Sequence, residues 1–400
     1  MSTELSGPNN TDEIFLISEL FYPETISTGY IMTEIAKELS KENVVTVIAG
    51  PEFYEEKEQQ YLEPLEDIRI IRGSYASYNK NNFFSRIFGV LSISWRMLAL
   101  MRLHIPKNSK VLMVTNPLIL FVLTSFYVRK KKWNIKLLVH DVFPENLIVA
   151  GVLKSTTSLI FKVLLFIFKK AYMKMDTLIV LGRDMKQLFE SKTGKTSTIK
   201  IIENWADTEN INKQEIPDDI PNFLFAGNMG RLQGLDLLLK AIEETKEYDY
   251  NFTFIGSGAV EQLVTDFISR NKLNKVRKYG WLPRESQNEF LSKATIGVIS
   301  LKKDMYGLGV PSKCYNLLAA GKPLLYIGDK DSEIHRLIVE NNVGWFAEAG
   351  NVSAIKDVIL KIVESDKSVF ISMGKNARVL SETLYSKDII LNKFSKLFKK

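Results

Sequence analysis

The chain has one cysteine, Cys314, among its 400 residues. That excludes an intramolecular disulfide framework and any multi-cysteine metal site, and it fits a reducing compartment. Histidine is nearly as scarce: His104, His140 and His335 stand far apart and in no metal-ligand spacing. Neither a metal nor a resident cofactor is therefore expected. The longest apolar run, VLMVTNPLILFVLTSFYV, is broken by Asn116 and Pro117, short of the roughly 20 uninterrupted residues of a membrane span. The amino-terminal MSTELSGPNNTDE is polar and acidic and lacks the apolar core of a secretion signal, so a cytoplasmic location is expected. No full GxGxxG and no P-loop lysine motif occurs, which leaves dinucleotide enzymes and P-loop NTPases unsupported.

What is present is an ordinary globular composition, 46% apolar and 25% charged, long enough for two domains. The formal charge of +7 points to an anionic partner. From Glu13 onward, short apolar runs (IFLIS, VVTVIAG, KVLMVTN, IKLLVHD, DTLIVLG) alternate with helical stretches, the rhythm of a parallel sheet. The rhythm pauses at the polar, Pro-containing IIENWADTENINKQEIPDDIP and restarts with FLFAG, FTFIG, VRKYG, IGVIS and PLLYIG. Two doubly wound α/β domains are predicted, residues 1–206 and 207–383. The tail 384–400 carries Ile390, Phe394 and Leu397 on one helical face and should dock on an apolar surface.

Candidate chemistry gathers at strand ends. In VPSKCYNLLAAGKPLL, Pro311 and Ser312 open a short helix that Gly321 closes, with Lys313 beside its start and the Gly307–Gly309 loop before it. Helix N–H groups, the dipole and an ammonium together suit a phosphate. Thr28 and Gly29 open the helix after the first strand, and Asn228, Arg231 and Gln233 occupy the glycine-rich FAGNMGRLQGLD loop. LVHDVFPEN puts His140, Asp141 and Glu145 at one strand edge facing the cleft expected between the domains. The Asp-Lys-Asp at 329–331 reads as turn and cap chemistry. Three helical segments between Phe83 and Lys174 mix Phe, Trp and Leu with Lys and Arg, which predicts a face lying on an anionic membrane. No nucleic-acid module is visible, and nucleic-acid binding is not expected.

Taken together, FLISELFYPETISTGY, HDVFPE, IIENWAD, AGNMGRLQGLD and VPSKCYNLLAAGKPLL resemble the retaining glycosyltransferases of family 4, in particular those that build bacterial capsule, O-antigen and exopolysaccharide. The resemblance implies a GT-B fold: two Rossmann-like domains about a central cleft, with the last helix crossing back to the first. It implies a UDP-linked nucleotide-sugar donor held by the second domain, a lipid-linked glycan acceptor on the first, and metal-free transfer of a hexosyl or N-acetylhexosaminyl group on the inner face of the cytoplasmic membrane. By that resemblance His140, Asp141, Arg231 and Lys313 are catalytic. Thr28, Gly29, Asn228, Gln233, Gly309, Ser312 and Asn316 contact the donor, and Glu145 serves the acceptor side. The family's two glutamates fall on Leu308 and Asn316, and its donor-loop Arg and Lys on Asn228 and Gln233. Those departures keep two alternatives open: a nucleotide-sugar epimerase of the same architecture, and a catalytically weak donor-binding subunit.

Overall fold

The computed structural model describes residues 13–24, 27–51, 65–73, 83–217 and 220–399. The polar amino-terminal stretch and part of the linker lie outside the described residues. The first domain is a seven-stranded parallel sheet of β1 (Glu13–Ser18), β2 (Val44–Ala49), β3 (Ile68–Arg72), β4 (Lys110–Val114), β5 (Asn134–Val139), β6 (Thr177–Val180) and β7 (Ile199–Ile201), in the order 3-2-1-4-5-6-7. The second is a six-stranded parallel sheet of β8 (Asn222–Ala226), β9 (Asn251–Ile255), β10 (Val276–Tyr279), β11 (Ile296–Ser300), β12 (Leu324–Gly328) and β13 (Gly344–Glu348), in the order 10-9-8-11-12-13. Each sheet reverses its winding direction once, between β1 and β4 and between β8 and β11. Ligands of such sheets bind outside the strands' carboxyl ends at that reversal.

The strands that read as unbroken apolar runs are the central ones. β11 and β12 are buried at every residue because helices cover both faces of the sheet. β3, β7 and β13, which the apolar runs did not announce, are all sheet edges with partly open residues.

The final helix, Lys387–Phe398, crosses back to the first domain. It buries Ile390, Leu391, Phe394 and Phe398. Lys387 pairs with Glu34 at 2.7 Å, Lys393 with Glu203 at 2.6 Å, and Ser395 bonds Glu38 at 3.2 Å. The expected GT-B architecture is therefore the one observed, and the two domains share one apolar cluster that continues from the first sheet through Met305, Leu308 and Val310 to Tyr315 and the last helix.

The helices between Phe83 and Lys174 divide their apolar residues between the core and the surface. The face Phe161–Phe168–Tyr172 of helix Leu159–Met173 is buried in the core. The opposite face is nevertheless apolar and open: Leu159, Ile160, Val163 and Phe166 are exposed, Leu159 at 77%. Helix Phe83–His104 likewise exposes Phe88, Trp95 and Leu103. No helix among the described residues is long and apolar enough to cross a membrane.

Candidate functional site

A cavity of about 480 Å³ opens between the domains at the strand ends. Its first-domain wall is Ser27, Tyr30 and Ile31 of helix Ser27–Ser40 with Asn204 and Trp205. Its second-domain wall comes from the ends of β8, β9 and β10 and from the start of helix Lys313–Ala319, with Asn228, Ser257, Trp281, Arg284, Ser312, Lys313 and Asn316 among its residues. Two helix starts thus meet across the cleft, and the hydroxyls of Ser27 and Ser312 lie 3.1 Å apart.

Lys313 is the charge at the centre of this wall. Its Nζ sits 3.7 Å from the centroid of the Phe225 ring and donates to Gln233 Oε1 at 3.3 Å. Among the described residues no carboxylate pairs with it, and burial pushes its pKa down to about 7. Loss of solvation without a counter-charge disfavours the ammonium. An anionic ligand in the cavity would supply that counter-charge.

The His140 edge adjoins this wall without lining the cavity. The loop from β11 to Ser312 packs Gly309 against the end of β5, so closely that a Cβ there would lie 3.2 Å from the His140 carbonyl and 3.5 Å from Asp141 Oδ1, a tight fit for any side chain. His140 Nε2 is buried and has no partner among the described residues, and burial holds its pKa near 4, so the ring is neutral at physiological pH. Asp141 accepts from Asn146 Nδ2 at 3.2 Å, and its surroundings raise its pKa.

Of the other expected residues, Asn228, Ser312 and Asn316 line the cavity, and Gln233 touches Lys313. Thr28 and Gly29 do not line it. Gly29 is required by packing, since a Cβ would sit 2.6 Å from the Glu24 carbonyl oxygen. Arg231 stands exposed in its loop, outside the cavity lining. Glu145 is held in an ion pair 2.8 Å from the buried Lys192. Leu308, at the position of the family's first glutamate, is a buried core residue.

Sequence reasoning missed an inter-domain cluster at the cavity's far end. The Arg284 guanidinium stacks 3.4 Å over the Tyr30 ring, and both groups bond Asp207 Oδ2, at 2.8 and 3.2 Å. Burial pushes the Tyr30 hydroxyl pKa up to about 12. The three residues come from a helix of the first domain, the linker and a 3-10 turn of the second domain, so no local pattern joins them. No group of His, Cys, Asp and Glu suited to a metal occurs among the described residues.

Two Rossmann-like domains facing a cleft at their strand ends make this a GT-B fold. Residues 206–379 match the family model "Glycosyl transferases group 1". The chain is 33% identical over 398 residues to "Probable glycosyltransferase WbjE" of Pseudomonas aeruginosa, covering 96% of each. It is 25% identical to "Amylovoran biosynthesis glycosyltransferase AmsK" of Erwinia amylovora over 42% of each chain. Anabaena HepE, solved in complex with UDP, shares the fold at a TM-score of 0.69 and 11% identity, covering 97% of this chain and 99% of that one. The protein belongs to the group 1 glycosyltransferases.

Proposed function

We propose that the protein is a retaining, family 4 enzyme that transfers a hexosyl or N-acetylhexosaminyl group from a UDP-linked donor to a lipid-linked glycan in bacterial surface-polysaccharide synthesis. The observation that carries this reading is the Lys313 ammonium, buried without a carboxylate beside two facing helix starts in an inter-domain cavity. UDP bound to the similarly folded HepE and the polysaccharide named for AmsK support the donor and pathway class. Breaking the bond from anomeric carbon to phosphate oxygen builds negative charge on the departing diphosphate. Lys313 and the N–H groups behind Ser312 are fixed in place to stabilise it. The acceptor hydroxyl attacks from the face the diphosphate leaves, and its proton passes to the leaving phosphate oxygen. Asn316, in the cavity wall, then serves to hydrogen-bond a ribose hydroxyl without charge, while neutral His140 lies behind the wall and adds no charge to the site. Transfer should survive chelation of divalent cations.

The lipid-linked acceptor is supported by the first domain's outer face. From Phe83 to Lys174 the sequence holds fifteen Lys and Arg against two carboxylates, Asp141 and Glu145. Exposed Phe126 and Phe166 lie under Lys174 and Lys170 at 4.9 and 5.5 Å from ring centroid to ammonium. Apolar insertion with a cationic rim gives reversible attachment to anionic lipid. Binding to anionic vesicles should weaken with salt and with Phe166→Glu, whereas equal partition into neutral vesicles would remove the electrostatic part. The deciding experiment incubates the protein with bacterial membranes and a panel of nucleotide sugars. Acceptor-dependent incorporation with retained configuration supports the proposal. Acceptor-free conversion would make the protein an epimerase, and binding without turnover a donor-binding subunit.

A further inference from the structure

Two helices, one from each domain, begin face to face beside the cleft: Arg183–Thr193 and Glu333–Asn341. Neither is capped by its own N-cap side chain, since Gly182 has none and Ser332 Oγ donates elsewhere, to the Asp329 carbonyl. The unpaired N–H groups of a helix start need an acceptor, and here each helix takes one from the other domain, with Asp184 Oδ1 also accepting its own helix's Met185 N–H at 2.7 Å. Glu333 Oε2 accepts the Arg183 N–H at 2.6 Å, and Asp184 Oδ2 accepts the Glu333 N–H at 3.1 Å. The Arg183 guanidinium closes on the Glu333 carboxylate at 3.0–3.2 Å, and both carboxylates are almost fully buried.

Asp184 Oδ2 also reaches the loop that leads from β11 to Ser312, accepting the Gly307 N–H at 3.3 Å. Gly307 has φ +70°, a conformation other residues adopt at a cost. The next carbonyl, Leu308 O, accepts from Val142 N at 3.0 Å and Asn146 Nδ2 at 3.4 Å. Gly309 then packs on the His140 carbonyl. Three consecutive residues leading into Ser312 and Lys313 are thus set by the first domain.

We infer that Asp184 and Glu333 are a reciprocal inter-domain cap, a pair of positioning residues that holds the two domains in the register where the Gly307–Gly309 loop packs on the His140 edge and sets the Lys313 wall of the cleft. Neither carboxylate lines the cavity, so the pair acts on geometry rather than on the ligand. The kinetic arm of its test rests on the transferase reading above, and the structural arm does not.

The structural arm is amide hydrogen exchange on the free full-length protein. Asp184→Ala should speed exchange at Gly307 and Glu333, in the other domain, by about tenfold, and Glu333→Ala should do the same at Arg183. Glu333→Gln keeps an acceptor oxygen and should show a smaller change, which guards against a variant that merely misfolds. Unchanged cross-domain exchange in both alanine variants, at normal melting, would overturn the inference whatever the donor is. In the kinetic arm, with the nucleotide sugar and membranes that support wild-type transfer, turnover at saturating donor should fall about tenfold or more while donor KM moves less than about threefold. A matched rise in KM with turnover intact would overturn the positioning role.

Discussion

Lys192 and Lys313 are both lysines taken out of water, and their surroundings differ in one respect that separates structure from function. Lys192 sits at the end of a first-domain helix with Glu145 at 2.8 Å, the Phe143 carbonyl at 3.0 Å and the Tyr172 ring at 5.2 Å from its ammonium. Lys313 has a ring and one amide oxygen. The first ammonium is neutralised within the fold, and the second is kept available at a cavity wall. Burial lowers both pKa values, but Glu145 opposes the shift at Lys192, while nothing opposes it at Lys313. A buried charge that the fold leaves uncompensated is a binding-site signal, whereas a compensated one is a packing device.

The sharpest way to break this comparison is a pair of alanine substitutions. Lys313→Ala should lower turnover by about 30- to 1000-fold, the roughly 2–4 kcal/mol of a transition-state charge contact, with melting unchanged or slightly raised. Near wild-type turnover at saturating donor would remove Lys313 from the chemistry. Lys192→Ala should show the opposite signature, a stability loss of roughly 2 kcal/mol by denaturant unfolding with turnover per folded molecule retained. That is less than the value for fully buried pairs because Glu145 keeps some contact with water.

A pH series sharpens the same contrast. Below pH 7 Lys313 already carries its proton. Above it, binding a diphosphate must also bind a proton, so donor KM should rise by up to about tenfold per pH unit until the pKa in the complex is reached. A nucleotide-sugar diphosphate does not titrate in that range, and Lys313→Ala should flatten the profile. A KM independent of pH from 6 to 9 would contradict the depressed ammonium. Smallest of all, Arg231→Ala should change turnover by less than about 0.5 kcal/mol, as expected of an exposed residue outside the cavity. A loss comparable with that of Lys313 would mean that the loop moves in to meet the donor.

The fold was legible where chemistry is local. Runs such as IGVIS and PLLYIG announce strands covered on both faces, whereas IRIIR, IKI and GWFAE, at the sheet edges, alternate or run short because one side meets water. At the site, Ser312, Lys313 and Asn316 were readable because a helix start and its cation lie within a few residues of one another, and Asn228 because it sits in a glycine-rich loop at a strand's end. Glu145 and Arg231 looked equal to them in sequence, and only their neighbours in space separate the three cases.

What the sequence determined by itself is therefore what propensity and periodicity encode: two parallel sheets, a break between them, a last helix with one apolar face, a helix start with a lysine beside it and a first domain rich in apolar and basic residues. What only the tertiary structure decided is partnership. Asp184 with Glu333 is a contact across 149 residues, Arg284 with Asp207 one across 77, and Ser27 with Ser312 one across 285. Electrostatic and hydrogen-bond energies depend on distances in space and on local solvation. Neither quantity exists for a residue until the chain has closed around it.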